Sequence, residues 1–169
     1  MRRGERIVPI LFNSILENVG ISPQDTRLLR HHGRVSEIGK SPLSLWREER
    51  NKFVHYQETQ AKNSSPNFLS KYWASFAATP DGSSLFLGIY TVQFVGILQE
   101  SRVNIIDGGY LEAGSSDLYK NEHDRRLADL EGRLFIDWGK GVRAWVQKAE
   151  NQNKLVTELL PSEFRQHTI

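Results

Sequence analysis

The chain has 169 residues, enough for one domain with a buried core, and it contains no cysteine, which excludes disulfides, thiolate metal sites and cysteine nucleophiles. Its formal net charge is +2, too mild to indicate a nucleic-acid binder by itself. No apolar run reaches the roughly 18 residues of a membrane span, and the N-terminus lacks the apolar centre of a signal peptide, so we expect a soluble, cytoplasmic protein with no membrane contact.

Positive charge is concentrated in the first part of the chain. Residues 1–62 hold 11 Lys and Arg against 7 Asp and Glu, a balance of +4, whereas residues 63–169 hold 11 against 13, a balance of −2. The densest cluster is RLLRHHGR, from Arg27 to Arg34. Such a cluster is either an ordinary solvated turn or a set of cations for phosphate groups, and the sequence leaves both interpretations open.

Helix signals dominate the first 62 residues. A short amphipathic helix is predicted over residues 9–19, and Gly20 is placed to end it. Ser41 followed by proline is typical of a helix N-terminus, and it begins a longer predicted helix over residues 41–60. The polar stretch 61–67 is the best candidate for a linker.

Strand signals dominate the rest of the chain. Strands are predicted over residues 71–79, 85–98 and 154–161, with a hairpin over 133–149 that turns around Gly139 and Gly141, and one helix is predicted over 121–130. This order predicts an α+β fold, in which N-terminal helices are followed by a small, strongly bent antiparallel β-sheet or barrel. We expect one domain, in which a helical segment over residues 1–62 packs on a β-rich region over residues 63–169.

The stretch LFLGIYTVQFVG, Leu85 to Gly96, contains the letters GIY, which form the first half of the GIY-YIG nuclease signature. The two tyrosine triplets of that signature lie on neighbouring strands, whereas here only three residues separate Tyr90 from Phe94. Three residues cannot hold the end of one strand, a turn and the start of the next. The stretch therefore predicts a single buried strand and lacks the tyrosine pair that catalysis requires.

No motif in the sequence predicts a catalytic, metal or cofactor site. The G-x-S-x-G, H-E-x-x-H and Walker patterns are missing, and so is the glutamate-x-lysine of metal-dependent nucleases. NEHD, Asn121 to Asp124, is the best candidate for a cation site, but an acidic helix start explains it more simply. We expect no cofactor, no metal and no catalysis by this chain itself.

The aromatic residues on the predicted strands are the remaining functional candidates. Tryptophan in a small sheet is most often core, but it also forms stacking surfaces for a nucleobase turned out of the helix. The candidate base pocket consists of Trp73, Tyr90, Trp138 and Trp145. The candidate phosphate contacts are Arg27, Arg30, His31, Arg34, Lys140 and Arg143.

Several separated blocks of the sequence resemble a known group of proteins. They are DTRLLRHH, SPLSLWREERNKFVHYQETQ, YWASFAATPDGSSLFLGIY, LADLEGRLFIDWGKGVRAWVQ and LPSEFRQHTI. In that order they resemble the N-terminal region of bacterial restriction-type proteins in which a GIY-YIG nuclease domain follows. The resemblance implies a full-length GIY-YIG endonuclease whose nuclease domain lies C-terminal to this accessory domain. Analogy at the level of fold suggests a PUA-like reader of modified DNA, and no pocket residue is carried over from the group.

These observations favour a DNA-binding specificity domain that binds double-stranded DNA and reads a modified base in a surface aromatic pocket. Two alternatives remain: a protein-interaction module that contacts a partner or forms a homodimer, and an RNA-binding PUA-like domain. An enzyme acting on a small molecule is the weakest hypothesis. It requires a cluster of titratable side chains in one pocket, and no spacing in the sequence predicts one.

Overall fold

The structure is a computed structural model that describes residues 9–63, 65–139, 145–151 and 153–161. Over these ranges the chain has an α+β fold, in which a mixed sheet of eight strands is strongly curled into a half-barrel and is accompanied by a few helices. The predicted α+β class and the strong bend of the sheet are confirmed. The predicted order is not, because helices and strands alternate along the chain instead of all helices coming first.

The described α-helices are α1, Phe12–Asn18; α2, Pro42–Glu48; α3, Arg50–Gln57; and α4, Ser65–Phe68. Short 3₁₀ helices span Pro23–Asp25, Arg125–Leu130 and Ala149–Asn151. The first strands are β1, Thr26–His31; β2, Thr59–Ala61; β3, Tyr72–Ala78; β4, Ser83–Ile97; and β5, Arg102–Val103. They are followed by β6, Tyr110–Leu111; β7, Ser116–Asp124; β8, Leu134–Asp137; β9, Val146–Lys148; and β10, Val156–Leu159.

The curled sheet includes a strand from the segment that was predicted to be helical. Its strands follow the order β10-β8-β4-β3-β1-β9, and β7 pairs with both β4 and β2. Strand β1 runs parallel to β3, with Thr26 opposite Tyr72, so the sheet is mixed and the prediction of a purely antiparallel sheet is wrong. Parallel neighbours need a long crossover connection, and α2 and α3 lie in the connection between these two strands.

Strand β4 pairs with three other strands of the sheet. It is one continuous strand of 15 residues, as the spacing of the GIY letters predicts. Its first half pairs with β3 and β8, and its second half pairs with β7. The pairing register with β3 shifts beside Gly88, whose φ of 125° is a conformation that favours glycine. The strand therefore changes neighbours halfway along its length.

The predicted helix over residues 41–60 is divided into α2 and α3. Its start is as predicted, because Ser41 forms a capping box with Ser44 and Pro42 occupies the first turn. The break lies at Glu49, whose backbone has left the helical region at φ −142° and ψ 66°. The Arg50 side chain explains the break, because its Nε donates to the Trp46 carbonyl at 2.6 Å and so occupies the acceptor that a continuous helix would use.

The predicted helix over residues 121–130 is wrong in its first part. Residues 121–124 belong to β7, where Asn121 lies opposite Val92 of β4. The helix that follows is a 3₁₀ helix, and it begins where the Asp124 carboxylate accepts a hydrogen bond from the Arg126 backbone N–H at 3.0 Å. An acidic residue does begin a helix here, but the helix begins after Asp124 and not at residue 121.

The predicted hairpin over residues 133–149 is not formed by the described residues. Strand β8 pairs with β4 and β10, whereas β9 pairs with β1 on the other side of the sheet. The two candidate strands are therefore separated by the width of β4, β3 and β1. Residues 140–144, including Gly141, lie outside the described residues.

Gly132 lies against the buried Trp46, and we expect Gly132→Ala to lower the free energy of unfolding by about 2 kcal/mol. A Cβ at this position would lie 2.8 Å from the Trp46 ring, which cannot move away freely because its N–H donates to the Leu87 carbonyl at 2.9 Å. Urea denaturation measures the loss. Gly39→Ala is the matched control, because Gly39 has a similar φ of +80° but an added Cβ there would meet no described residue other than its chain neighbours within 4 Å. It should cost only about 1 kcal/mol. Equal losses at the two glycines would contradict the role of the contact with Trp46.

Candidate functional site

Three adjoining cavities lie beside α3 and β2. We name them the polar cavity, around His123 and Glu131; the middle cavity, beside Arg102; and the tryptophan cavity, around Arg30 and Trp145. Their volumes are about 510, 220 and 100 Å³. His55 lines both the polar and the middle cavity, and Tyr56, Thr59 and Gln60 line both the middle and the tryptophan cavity. The three cavities therefore form one row along the surface.

The polar cavity contains a paired histidine and glutamate. Glu131 is almost completely buried, with 1% of its surface exposed. Its Oε2 lies 2.5 Å from Nε2 of His123, so the ring N–H donates to the carboxylate. Its other oxygen, Oε1, lies 3.6 Å from the Arg50 guanidinium, which is close enough for electrostatic attraction but too far for a hydrogen bond. A buried carboxylate of this kind fixes the orientation of the histidine ring.

Strand pairing positions the two groups. His123 of β7 lies directly opposite Tyr90 of β4, and their ring centroids are 5.4 Å apart. Glu131 follows the 3₁₀ helix and reaches β4 beside Gly88, where an added Cβ would lie 3.0 Å from the Glu131 carboxylate. A side chain at this position would crowd the carboxylate, and the φ of 125° also favours glycine here. The Tyr90 hydroxyl donates to the Leu87 carbonyl at 2.9 Å, and burial together with the Glu131 charge raises the pKa of this phenol.

Helix α3 and strand β7 form the rest of the polar cavity. The Glu58 carboxylate accepts a hydrogen bond from the Asn121 backbone N–H at 2.7 Å. The Arg50 guanidinium lies over the Trp46 ring, 4.1 Å from its centroid. Arg125 is exposed at the edge, and among the described residues it has no hydrogen-bond or ion-pair partner. The lining therefore combines two glutamates with two arginines and the histidines.

A buried polar network runs from the tryptophan cavity to the polar cavity. His31 lines the tryptophan cavity, and its Nε2 lies 2.9 Å from the Gln57 Oε1 atom. The same oxygen accepts a hydrogen bond from the Ser75 hydroxyl, and the Gln57 amide nitrogen donates to Asn121 at 3.3 Å. Burial lowers the pKa of His31 to about 4, although the contact with Gln57 opposes this shift. The ring is therefore uncharged at neutral pH.

The tryptophan cavity pairs a cation with an exposed aromatic ring. Trp145 is 50% exposed, and the Arg30 guanidinium lies 5.5 Å from its ring centroid and 5.7 Å from that of Trp138. Burial lowers the pKa of Arg30, and its Nε has no hydrogen-bond partner among the described residues. The backbone N–H of Arg30 donates to the Trp145 carbonyl at 2.8 Å, which fixes the two residues relative to each other. The cavity lining therefore places a guanidinium beside a flat, half-exposed ring.

The four residues predicted to form the base pocket do not come together. Trp73, Tyr90 and Trp138 are each at most 1% exposed, and they belong to three different core clusters. Tyr90 borders the polar cavity, and Trp145 borders the tryptophan cavity. Three of the four rings therefore contribute to the core, and Trp145 is the one that is half-exposed.

The predicted phosphate contacts are divided in the same way. Arg27 and Arg30 are half-buried on β1, and the Arg27 Nε donates to the Asn67 carbonyl at 3.0 Å. Arg34 is exposed in the loop after β1. His31 is buried and uncharged at neutral pH, so it does not offer a cation to a phosphate group. The last two predicted contacts, Lys140 and Arg143, lie outside the described residues.

His123, Glu131 and Arg50 are the residues that sequence reasoning missed. In the sequence, His123 lies within NEHD, which is a candidate cation site. Among the described residues, no cluster of His, Cys, Asp or Glu is suited to hold a metal ion. The only sequence signal for the histidine and glutamate pair is an eight-residue separation, which matches no known motif. The pair is formed by the folding of β7 and the 3₁₀ helix around Gly88.

Comparisons with protein-family models, with curated proteins and with solved structures found no match for this chain. Within the part of the chain that the structure describes, no helix is both long enough and apolar enough to cross a membrane.

Proposed function

We propose that this chain is a DNA-binding specificity domain and that the nucleic acid lies along the row of cavities beside α3. The observation that carries the proposal is the pairing of Arg30 with the half-exposed Trp145. A guanidinium recognises phosphate through several donors, and an exposed indole stacks on bases of any sequence. These two groups, 5.5 Å apart, offer the two kinds of contact that a nucleic acid uses, one to a phosphate and one to a base.

The polar cavity supports the second part of the proposal, which is that one base is turned out of the helix and read there. Its volume of about 510 Å³ falls within the usual range of small-ligand sites. Arg50 and Arg125 lie at its edge, where the phosphates that flank an extruded nucleotide would pass. The proposed pocket is therefore lined by polar groups and Tyr90, not by the tryptophans. A modified base remains the proposed target.

We further propose that a C-terminal GIY-YIG nuclease domain acts on the DNA that this domain selects. The support for this is the resemblance of the separated sequence blocks to the N-terminal region of such proteins. Binding would select the site, and the second domain would cut it.

The experiment is equilibrium binding of the chain to matched fluorescent duplexes, either unmodified or carrying methylated, hydroxymethylated or phosphorothioate positions, at two salt concentrations. We expect one duplex to bind selectively. Trp145→Ala should weaken binding roughly tenfold by removing one stacking surface. Arg30→Ala should also weaken binding, and it should lower the slope of log affinity against log salt concentration by about one unit, because one phosphate contact is lost. Phe94→Ala and Lys120→Ala, at exposed positions outside the three cavities, are the matched controls.

The contrary outcome is also well defined. If no duplex binds and light scattering shows a dimer whose formation is insensitive to salt, the chain is a protein-interaction module. If the chain binds single-stranded RNA more tightly than every duplex, the DNA assignment is wrong while the stacking role of Trp145 remains.

A further inference from the structure

We infer that the polar cavity accepts a nucleobase that carries an exocyclic amino group, and that Glu131 receives a hydrogen bond from that group. The inference rests on the proposed function, because it assigns the class of base that the cavity reads. It concerns a residue that lies outside the aromatic positions predicted from the sequence.

One carboxylate oxygen of Glu131 is free to accept a hydrogen bond from a ligand. Oε2 of Glu131 receives the His123 N–H at 2.5 Å, whereas Oε1 has no hydrogen-bond donor among the described residues and lies 3.6 Å from Arg50. A carboxylate is an acceptor only, and this oxygen belongs to a residue that lines the cavity. A ligand that brings an N–H to this oxygen gains a charge-assisted hydrogen bond, so the cavity favours donor groups at this point.

The neighbouring polar groups do not supply that donor. The Tyr90 hydroxyl donates to the Leu87 carbonyl, and the Asn121 amide donates to the Thr91 carbonyl at 2.9 Å. The Asn121 side-chain oxygen already accepts from Gln57. Each of these groups is therefore occupied within the protein. Glu131 Oε1 and the second oxygen of Glu58 are left as carboxylate acceptors, and Glu131 is the one that lies beside the His123 ring.

The remaining features fit a flat, uncharged ligand. The cavity lining contains Arg50 and Arg125 against Glu58 and Glu131, so it carries no net charge when its histidines are neutral. A phosphate group placed inside the cavity would gain little from this balanced lining, even though the two arginines at its edge can contact phosphates outside, whereas a nucleobase inside gains hydrogen bonds without loss of a charge. The His123 ring, with 26% of its side chain exposed, also offers an aromatic surface for stacking.

The exocyclic amino group divides the nucleobases into two classes. Cytosine, adenine and guanine carry an exocyclic amino group, whereas thymine and uracil carry a carbonyl oxygen in the position of the cytosine amine. That oxygen would face the Glu131 carboxylate with no proton between them. The sharpest test therefore compares the affinity for cytosine with that for uracil, or the affinity for 5-methylcytosine with that for thymine. The two bases of each pair have nearly the same shape and differ in the group that would face Glu131.

The test uses duplexes of one sequence with a single test base opposite an abasic site, which lowers the cost of turning that base outward. The test bases are cytosine, 5-methylcytosine, uracil and thymine. We expect both cytosines to bind at least about tenfold more tightly than uracil and thymine. Glu131→Gln has nearly the same shape and gains an amide donor, so it should abolish or reverse the preference. Glu122→Gln, with 71% of its side chain exposed on β7 beside His123, is the matched control and should keep the preference.

Outcomes for this inference and for the proposed function are separable. Equal binding of all four test bases by a chain that does bind duplexes overturns the inference and leaves the proposed function in place. Titration with cytidine and uridine, followed by NMR, tests the cavity without any duplex. Selective shifts with cytidine support the inference even if no duplex binds, and equal or no shifts with both nucleosides overturn it. The comparison of bases on the unaltered chain remains decisive if thermal denaturation shows that Glu131→Gln does not fold.

Discussion

Trp138→Ala should lower the free energy of unfolding by about 3–5 kcal/mol, whereas Trp145→Ala should change it by less than about 1 kcal/mol. Trp138 has no exposed surface and packs against Phe76 with ring centroids 6.1 Å apart. The Lys154 ammonium lies 4.8 Å from the Trp138 ring centroid and also donates to the Trp138 carbonyl at 2.6 Å. Removal of the ring leaves a large cavity that these neighbours cannot fill. Urea denaturation of the two variants and the unaltered chain measures both values.

The same pair of variants separates structural from functional roles in binding. Trp145→Ala should retain the fold and lose DNA affinity, because half of its surface is available for stacking. Trp138→Ala should lose binding only to the extent that the protein unfolds. The opposite result would be a Trp138→Ala variant that unfolds at the same urea concentration as the unaltered chain and yet loses base preference. That result would support Trp138 as a base-contacting residue, as the sequence predicts, and not as a core residue.

Local sequence signals account for the elements that were predicted well. Ser41 and Pro42 begin a helix because a hydroxyl cap and a fixed φ act within one turn of the chain. The turn before β4 was recognised for a similar reason, since the Asp81 carboxylate accepts from the Ser83 backbone N–H at 3.0 Å and Gly82 has a φ of +87°. Each of these interactions joins residues that are close in sequence, so a single sequence is enough to predict them.

Strand β7 shows why other elements were misread. Asp117, Tyr119 and Asn121 on this strand are buried, and two of the three are polar. The usual alternation of apolar and polar residues is therefore missing. The Asn121 side chain is tolerated in the interior because Thr91 and Gln57 satisfy it, and both lie far away in sequence. A pattern that depends on such distant partners cannot be distinguished from an acidic helix by composition alone.

The candidate site was hidden for the same physical reason. Tryptophan has similar propensity for a core and for a binding surface, so residue type could not separate the buried Trp138 from the exposed Trp145. The pairing of His123 with Glu131 depends on the position of Gly88 in a strand more than thirty residues earlier in the chain. The requirement stated for the enzyme hypothesis, a cluster of titratable groups in one pocket, is in fact met by the polar cavity. We propose that this cluster serves recognition, because one oxygen of each carboxylate already accepts a hydrogen bond within the protein and the other can accept one from a ligand.

The protein should lose roughly 3 kcal/mol of stability between about pH 6.5 and pH 4 through His31 alone. Burial lowers the pKa of His31 from 6.5 in the unfolded chain to about 4 in the folded protein, and the nearby His32 adds to this effect. Between these two values the unfolded chain binds a proton that the folded protein excludes, so acid favours unfolding. The contribution of neutral His31 is fully present above about pH 6.5 and is lost as the pH falls toward 4. Urea denaturation at several pH values across this range measures the slope.

His31→Gln should flatten the pH dependence because glutamine does not titrate, even though the variant also loses the ring contact with Phe53, whose centroid lies 5.3 Å away. His55→Gln is the matched control, since His55 is exposed on α3, and it should retain the full slope. Parallel curves for His31→Gln and the unaltered chain would show that His31 is not the responsible group. A flattened curve would show that protonation of His31, which contacts Gln57 in the buried polar network, destabilises the fold in acid. Because this network connects the tryptophan and polar cavities, weakened DNA binding below about pH 5 should then accompany the loss of stability.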